Sequence, residues 1–292
     1  MEPPVNLNKV DATMGKPNVL LFNGVAIDAP CYYDRGFAYG DGLFETILCR
    51  QARYPLLSYH LERLSLGCER LGIPIDRDIL SNALNDNLRL IKKSDSHDGT
   101  AKVVVTRGFG GEGCYPPDDA NSNIYVSFNA QAKRDDSGTP KQLILASQRL
   151  PENPALAGLK HLNRLVYILG CQNLARSTEE VLFCDTSGRV VETMHHNIFF
   201  VDGGIVYTPR LNVCGVAGIM RKIVMEKLSP PSGIKVQEAE VSLADIAQFD
   251  EVFISNALKG IQSVSRIHES TFKSFDVCTE LTSNYDKLLT SL

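Results

Sequence analysis

The feature that most constrains this chain is a recurring pattern of short strand-like runs, several of them joined by tight glycine turns. VLLF (19–22), Asn23-Gly24 and VAI (25–27) read as a hairpin, because Asn-Gly readily supplies the two left-handed residues of a tight turn. EVLFCD, a Thr-Ser-Gly turn and RVVE (180–192) predict a second hairpin. NIFFVDGGIVYTP (197–209) predicts a third, turning at Asp202-Gly203-Gly204. LFETILC (43–49), KVVVTR (102–107), NIYVSF (123–128), a run at 143–147, KVQEAEV (235–241), EVFIS (251–255) and GIQSVSRI (260–267) add further strands. Helical periodicity is confined to fewer places. Leu57, Leu61, Leu64, Cys68 and Leu71 form one stripe, and Ile79, Leu80, Ala83, Leu84, Leu88 and Ile91 form another. GVAGIMRKIVMEKL (215–228) opens on glycines and becomes helical, a short helix starts at Ser242, and a terminal helix carries Phe275, Leu281, Tyr285 and Leu288. The chain therefore reads as mixed α/β in two parts. Residues 1–18 form a flexible extension, 19–131 a small α/β domain, 132–141 a polar linker and 142–292 a larger α/β domain.

Composition narrows the function. Hydrophobic residues make up 43 % of the 292 and charged residues 22 %, enough to bury a sizeable core. A net charge of −4 gives no basic field for nucleic acid or anionic membrane, and no apolar run is long enough for a membrane span. Eight scattered cysteines without a CxxC spacing predict reduced thiols in a cytoplasmic protein, and the six histidines show no metal-ligand spacing.

Four places carry candidate chemistry. Lys160, in GLKHLNRL (158–165), follows a turn-rich segment. Leu162, Leu165, Val166 and Leu169 predict a helix that begins just after it and runs to about Arg176. Such a lysine is either a solvated helix-start residue or, once desolvated, a neutral amine able to form an imine. Glu192 ends RVVE among apolar residues, where a carboxylate needs a partner: an arginine or a protonated ring nitrogen. GVAGIMR offers free backbone N–H groups, and FISNAL ends a strand with small polar residues. Both suit an anion, and Arg63 can complete such a cup as a fork-shaped donor. Gly108, Gly110 and Gly113 match G-x-G-x-x-G, but CYPPDDANSN follows and cannot open the helix a dinucleotide site requires. That loop reads instead as a flexible cover over a pocket. An imine-forming lysine, a carboxylate for a pyridinium and a phosphate cup are together what pyridoxal 5′-phosphate requires.

On DRGFAYGDGLFET, YHLERL, VVVTRGFGG, GLKHLNRL, VVETMHHNIFF, IVYTPRL, GVAGIMR and SNAL, in that order, the sequence resembles the class IV (fold-type IV) pyridoxal-phosphate enzymes. The family includes branched-chain and D-amino acid aminotransferases and 4-amino-4-deoxychorismate lyases. KHLNRL, TPRLNVCGVAGIMR and SNAL look most like the lyases. The resemblance implies a two-domain fold with the cofactor between a small and a larger α/β domain, in a homodimer. It implies that Lys160 holds the cofactor and transfers protons, and that Glu192 pairs with the ring nitrogen. Arg63, the N–H groups of Ile219 and Met220, and Asn256 with Ala257 would bind the phosphate. Arg107 would face a substrate carboxylate, and Thr46 would place a hydroxyl near the reacting substrate. The implied activity is conversion of 4-amino-4-deoxychorismate to 4-aminobenzoate and pyruvate, a step of folate synthesis. The alternatives are a class IV aminotransferase acting on D-amino or branched-chain acids and, more remotely, a non-catalytic cofactor-binding dimer.

Overall fold

Alternation along Gly42–Cys49 (β3) sets the first layer. Leu43, Glu45, Ile47 and Cys49 are buried, while Phe44, Thr46 and Leu48 are half-buried on the opposite face. The computed structural model describes residues 19–27, 31–94, 96–130, 138–172 and 179–291. In it β3 is an edge of a five-stranded antiparallel sheet with Val19–Phe22 (β1), Val25–Ala26 (β2), Gly99–Thr106 (β4) and Asn123–Ala130 (β5), in the order β2-β1-β5-β4-β3. Asn23 and Gly24 both take positive φ, 46° and 84°, as the Asn-Gly turn requires. One face of the sheet buries Ala101, Val103, Val105, Ile124, Val126 and Phe128 against Leu57–Leu71 (α2) and Arg77–Lys92 (α3). Each large aliphatic buried there contributes roughly 1.5–3 kcal/mol. Asp76 caps α3 by accepting from Asp78 N and Ile79 N, worth about 1 kcal/mol. Between β2 and β3 lies a short helix that the sequence reading missed, Arg35–Tyr39 (α1).

The second sheet is built from Lys141–Leu145 (β6), Glu179–Cys184 (β7), Val190–Thr193 (β8), Asn197–Asp202 (β9), Ile205–Pro209 (β10), Lys235–Ala239 (β11), Glu251–Asn256 (β12), Gly260–Ile267 (β13) and Ser270–Thr271 (β14). Its order is β11-β10-β9-β12-β13-β6-β7-β8, and β8 returns to β9 through the single pair Glu192↔Asn197. Six strands thereby close into a ring. Leu182, Val190, Ile198, Phe200, Val252, Ile254 and Val264 fill its interior. Phe199 and Phe253 stack on the outside with centroids 4.6 Å apart, against Ile219–Ile223 (α4), the π turn Val224–Leu228 and the terminal helix Asp276–Ser291 (α5).

The helix expected directly after Lys160 starts instead at Leu165 and spans Leu165–Gly170, between β6 and β7. The cause is hydrogen bonding to both sheets. Gly158 N donates to Gly215 O, Ala217 N to Gly158 O, Phe44 N to Lys160 O and Leu162 N to Gly42 O. Backbone groups spent on these bonds cannot close a helical turn. The expected apolar stripe also differs, since Leu165 and Leu169 are exposed while Tyr167 and Gly170 are buried. The far end of that helix, near Arg176, lies outside the described residues, as do the extension 1–18 and most of the linker. Of the linker, Lys141 already belongs to β6. The glycine loop after β4 leads into β5 without a helix. It is braced by the buried Arg35, whose Nη1 donates to the carbonyls of Gly110 and Gly113.

Candidate active site

Lys160 sits where the two sheets meet, because its segment is bonded to β3 on one side and to residues 215–217 on the other. Its Nζ lies 4.4 Å from the centroid of the Phe44 ring. Burial, with the Arg63 charge in support and Glu45 opposing, pulls the amine down to about 8 from 10.5. A sizeable fraction is therefore a neutral nucleophile near neutral pH. Of the two readings of Lys160 the geometry favours the desolvated amine.

Glu192 reaches the site through a β-bulge. Val190 points into the ring and Val191 out of it, so alternation alone would turn Glu192 back inward. The register between β7 and β8 shifts at Phe183/Cys184, which keeps Glu192 outside beside Tyr167. Tyr167 donates its hydroxyl to Glu192 Oε1 at 2.5 Å, Val216 N donates to Oε2 at 2.9 Å and Asn197 Nδ2 to Oε2 at 3.4 Å. A carboxylate offers about four acceptor positions, so three donors leave room for one more. Burial raises the pKa of Glu192, opposed by Arg164 and Tyr167, and a cationic ring donor would offset that penalty.

Arg63 lies across the junction from α2. Its Nε and Nη2 form a fork on Glu45, at 2.7 and 2.5 Å, and Nη1 donates to Ala217 O at 3.1 Å. His60 donates Nδ1 to Glu45 Oε2 at 2.7 Å. Burial would raise the Glu45 carboxyl, yet Arg63 and His60 outweigh it and hold the group at about 2. This cluster of buried Glu45 and His60 with half-buried Arg63 escaped the sequence reading. Its signal was present in Glu45 at a core-facing position of an apolar strand and in His60 three residues after Leu57 on the helix stripe.

Ile219 and Met220 open α4 after Gly218, where no side chain caps the helix, so their N–H groups point free of intrahelical partners. A Cβ on Gly218 would stand 1.9 Å from Asn197 Oδ1, so only glycine allows this approach. Ala257 packs against the cluster that contains Ile219 and Met220. The Asn256 side chain is spent on its own turn: Oδ1 accepts from Leu258 N and Lys259 N, and Nδ2 donates to His195 O. The second Nδ2 N–H and the backbone are what Asn256 has left for an anion. Thr46 lies two residues from Phe44 on the same half-buried face of β3. Arg107 is engaged elsewhere. Its Nε pairs with Asp41 at 2.8 Å, while Nη1 and Nη2 donate to Gly72 O and Leu71 O at the end of α2. Three of its five N–H groups are thereby spent on the protein itself.

The residues fit a pyridine aldehyde phosphate. A desolvated amine, a carboxylate with one open acceptor position and a glycine-lined anion cup with an arginine converge at the junction of the two sheets. Beside them lies a cavity of about 660 Å³, lined by Phe37, His161, Arg164, Tyr167 and Val216 among others.

Residues 42–267 match the model of the family described as amino-transferase class IV. An aminodeoxychorismate lyase of Vibrio harveyi is 34 % identical over 242 residues, covering 80 % of this chain and 86 % of the relative. A solved 4-amino-4-deoxychorismate lyase of Pseudomonas aeruginosa superposes with a TM-score of 0.86 at 34 % identity, covering 92 % of this chain and 98 % of that one. A branched-chain amino acid aminotransferase of Escherichia coli, at 20 % identity and TM-score 0.79 with 94 % and 95 % covered, shares the fold. With its motifs, its two-sheet fold and the match over residues 42–267, this chain belongs to the class IV amino-transferase family.

Proposed function

We propose that the chain is a pyridoxal 5′-phosphate-dependent lyase that converts 4-amino-4-deoxychorismate to 4-aminobenzoate and pyruvate. The observation that carries the reading is the convergence of Lys160, Glu192 and the Arg63–Gly218 cup in a fold shared, at 34 % identity, with lyases of that name. The bound cofactor supplies an electron sink conjugated to the substrate nitrogen.

The chain's own residues do the rest. Lys160 Nζ, neutral in part because it is buried, takes the proton from the substrate carbon that bears the nitrogen. Glu192, held by Tyr167, Val216 and Asn197, keeps a proton on the ring nitrogen. Arg63, fixed by Glu45, and the N–H groups of Ile219 and Met220 hold the phosphate. Asn256 and Ala257 complete the same cup. Thr46 offers a hydroxyl on the face of β3 that carries Phe44. Loss of pyruvate makes the substrate ring aromatic, so the protein supplies mainly positioning and proton transfer.

We also propose a homodimer, with the small domain ending near residue 131. Tyr32, Tyr33, Phe37 and Tyr115 are exposed aromatic side chains around α1 and the glycine loop, the kind of surface a second copy covers. A cytoplasmic location accords with eight unpaired cysteines. The test is to supply 4-amino-4-deoxychorismate to the cofactor-loaded protein and assay 4-aminobenzoate by chromatography. None formed above the uncatalysed rate would end the lyase reading.

A further inference from the structure

A carboxylate-bearing substrate needs a cation with a free donor, and the structure distinguishes two arginines. Arg107 has each of its three nitrogens engaged, by Asp41, Gly72 O and Leu71 O, and Asp41 is further shared with Arg35 Nε at 2.9 Å. Arg164 is the opposite case. Its guanidinium stacks on the Tyr167 ring, with Cζ 3.4 Å from the centroid, which fixes the side chain. Its Nη1 is buried and has no hydrogen-bond partner. It lines the cavity of about 660 Å³, together with His161, whose Nδ1 is also buried and unpartnered. Burial and the Arg164 charge lower the His161 pKa, so at neutral pH the imidazole is a neutral hydrogen-bonding group there. The acidic residue of this lining, Glu152, is already taken by Arg189 Nη2 and the hydroxyls of Thr186 and Ser187. The cavity thus presents a positive, under-satisfied donor set within an apolar wall that includes Leu156, Leu162 and Val166. It also adjoins Glu192, because Tyr167 and Val216 line it and both donate to that carboxylate.

We propose that Arg164, with His161 beside it, is the anchor for a carboxylate of the substrate, and that Arg107 is structural. The proposal rests on the lyase reading for the identity of the acid, not for the presence of the anchor. Arg164 also stands close enough to help lower the Lys160 pKa, so anchoring a carboxylate there would partly neutralise that influence when substrate arrives.

The test uses cofactor-loaded protein and three probes: 4-aminobenzoate, aniline as its neutral counterpart, and pyruvate. Binding is measured by calorimetry for the wild type, Arg164→Gln, Arg164→Lys and Arg107→Gln. Losing one charge-assisted contact should weaken 4-aminobenzoate, or pyruvate if the anchor takes the side-chain carboxylate, about ten- to a hundredfold in Arg164→Gln. Aniline binding should not change. Arg164→Lys, which keeps the charge but not the fork, should retain part of the affinity, and Arg107→Gln should keep the wild-type preference for 4-aminobenzoate over aniline. A general distortion of the cavity would weaken aniline as well. The proposal is overturned if both carboxylates bind Arg164→Gln as they bind wild type, if aniline falls in parallel, or if the wild type shows no preference for the acids. A wild type that binds 4-aminobenzoate selectively yet releases no pyruvate from 4-amino-4-deoxychorismate would refute the lyase reading and leave the anchor standing.

Discussion

The pH dependence of cofactor capture by the apoprotein measures the desolvation of Lys160 directly. The amine is drawn from 10.5 to about 8, mainly by burial and secondarily by Arg63. That shift corresponds to about 3 kcal/mol of differential stabilisation of the neutral form. At pH 7.5 about a quarter of such amines are neutral, against about one in a thousand for an unshifted lysine. The sign follows from the nucleophile being the unprotonated form. The rate should rise about tenfold per pH unit below 8 and level off above it. The assay mixes apoprotein with pyridoxal 5′-phosphate in a stopped-flow cell and follows the visible absorbance. Nα-acetyl-lysine is run in parallel to divide out the cofactor's own titration. The ratio of protein to model-amine rate should be constant below about pH 7.5 and fall about tenfold per unit above about pH 8.5, where only the model amine still gains neutral form. Arg63→Gln removes one of the positive charges that lower the pKa, so it should move the levelling point upward. A rate still climbing tenfold per unit through pH 9.5 would refute the desolvation argument, because the amine would then titrate as an ordinary solvated lysine.

Three further outcomes follow from the same geometry. Glu45→Gln should lower stability by about 2–4 kcal/mol in urea unfolding, since it leaves half-buried Arg63 and buried His60 without their carboxylate. Because the folded-state pKa of Glu45 is depressed to about 2, the gap between wild type and variant should be full above pH 4.5 and shrink as pH falls toward 2. Gly218→Ala puts a methyl 1.9 Å from Asn197 Oδ1, so equilibrium dialysis should show weakened cofactor affinity with the rest of the fold intact by circular dichroism. Glu192→Ala should keep cofactor bound but reduce turnover by at least about a hundredfold, as expected of a lost proton-holding group; a near-normal rate would remove Glu192 from its role.

Local sequence pattern specifies much of this fold. The stripe from Leu57 to Leu71 is α2 to the residue, because its buried positions recur every three to four residues and Gly72 stops it with φ of 62°. The Asn23-Gly24 hairpin follows from backbone preference alone. What stayed hidden depends on partners distant in sequence. The late start of the helix after Lys160 reflects hydrogen bonds to Gly42, Phe44 and Gly215. The outward turn of Glu192 depends on a register shift that the residues of RVVE do not encode by themselves. Glu45 and His60 lie fifteen residues apart and meet only once α2 packs on β3. Arg107 and Arg164 are equally basic in sequence, and only their neighbours separate a guanidinium with each nitrogen engaged from one with a buried nitrogen left unpartnered. Family motifs supplied the site where spacing alone left Lys160 and Glu192 open to structural readings.

The measurement that bears most directly on the central proposal is turnover without an amino acceptor. A lyase returns Lys160 to its starting state every cycle, whereas a transaminase leaves the amino group on its cofactor and stalls without a keto acid. Cofactor-loaded protein is incubated with excess 4-amino-4-deoxychorismate, with lactate dehydrogenase and reduced nicotinamide cofactor present to remove pyruvate as it forms. The account predicts many turnovers per active site, with pyruvate and 4-aminobenzoate in equal amounts, and essentially none from Lys160→Ala. Arrest after one equivalent, or amino transfer between D-alanine or leucine and 2-oxoglutarate with no pyruvate from 4-amino-4-deoxychorismate, would contradict it.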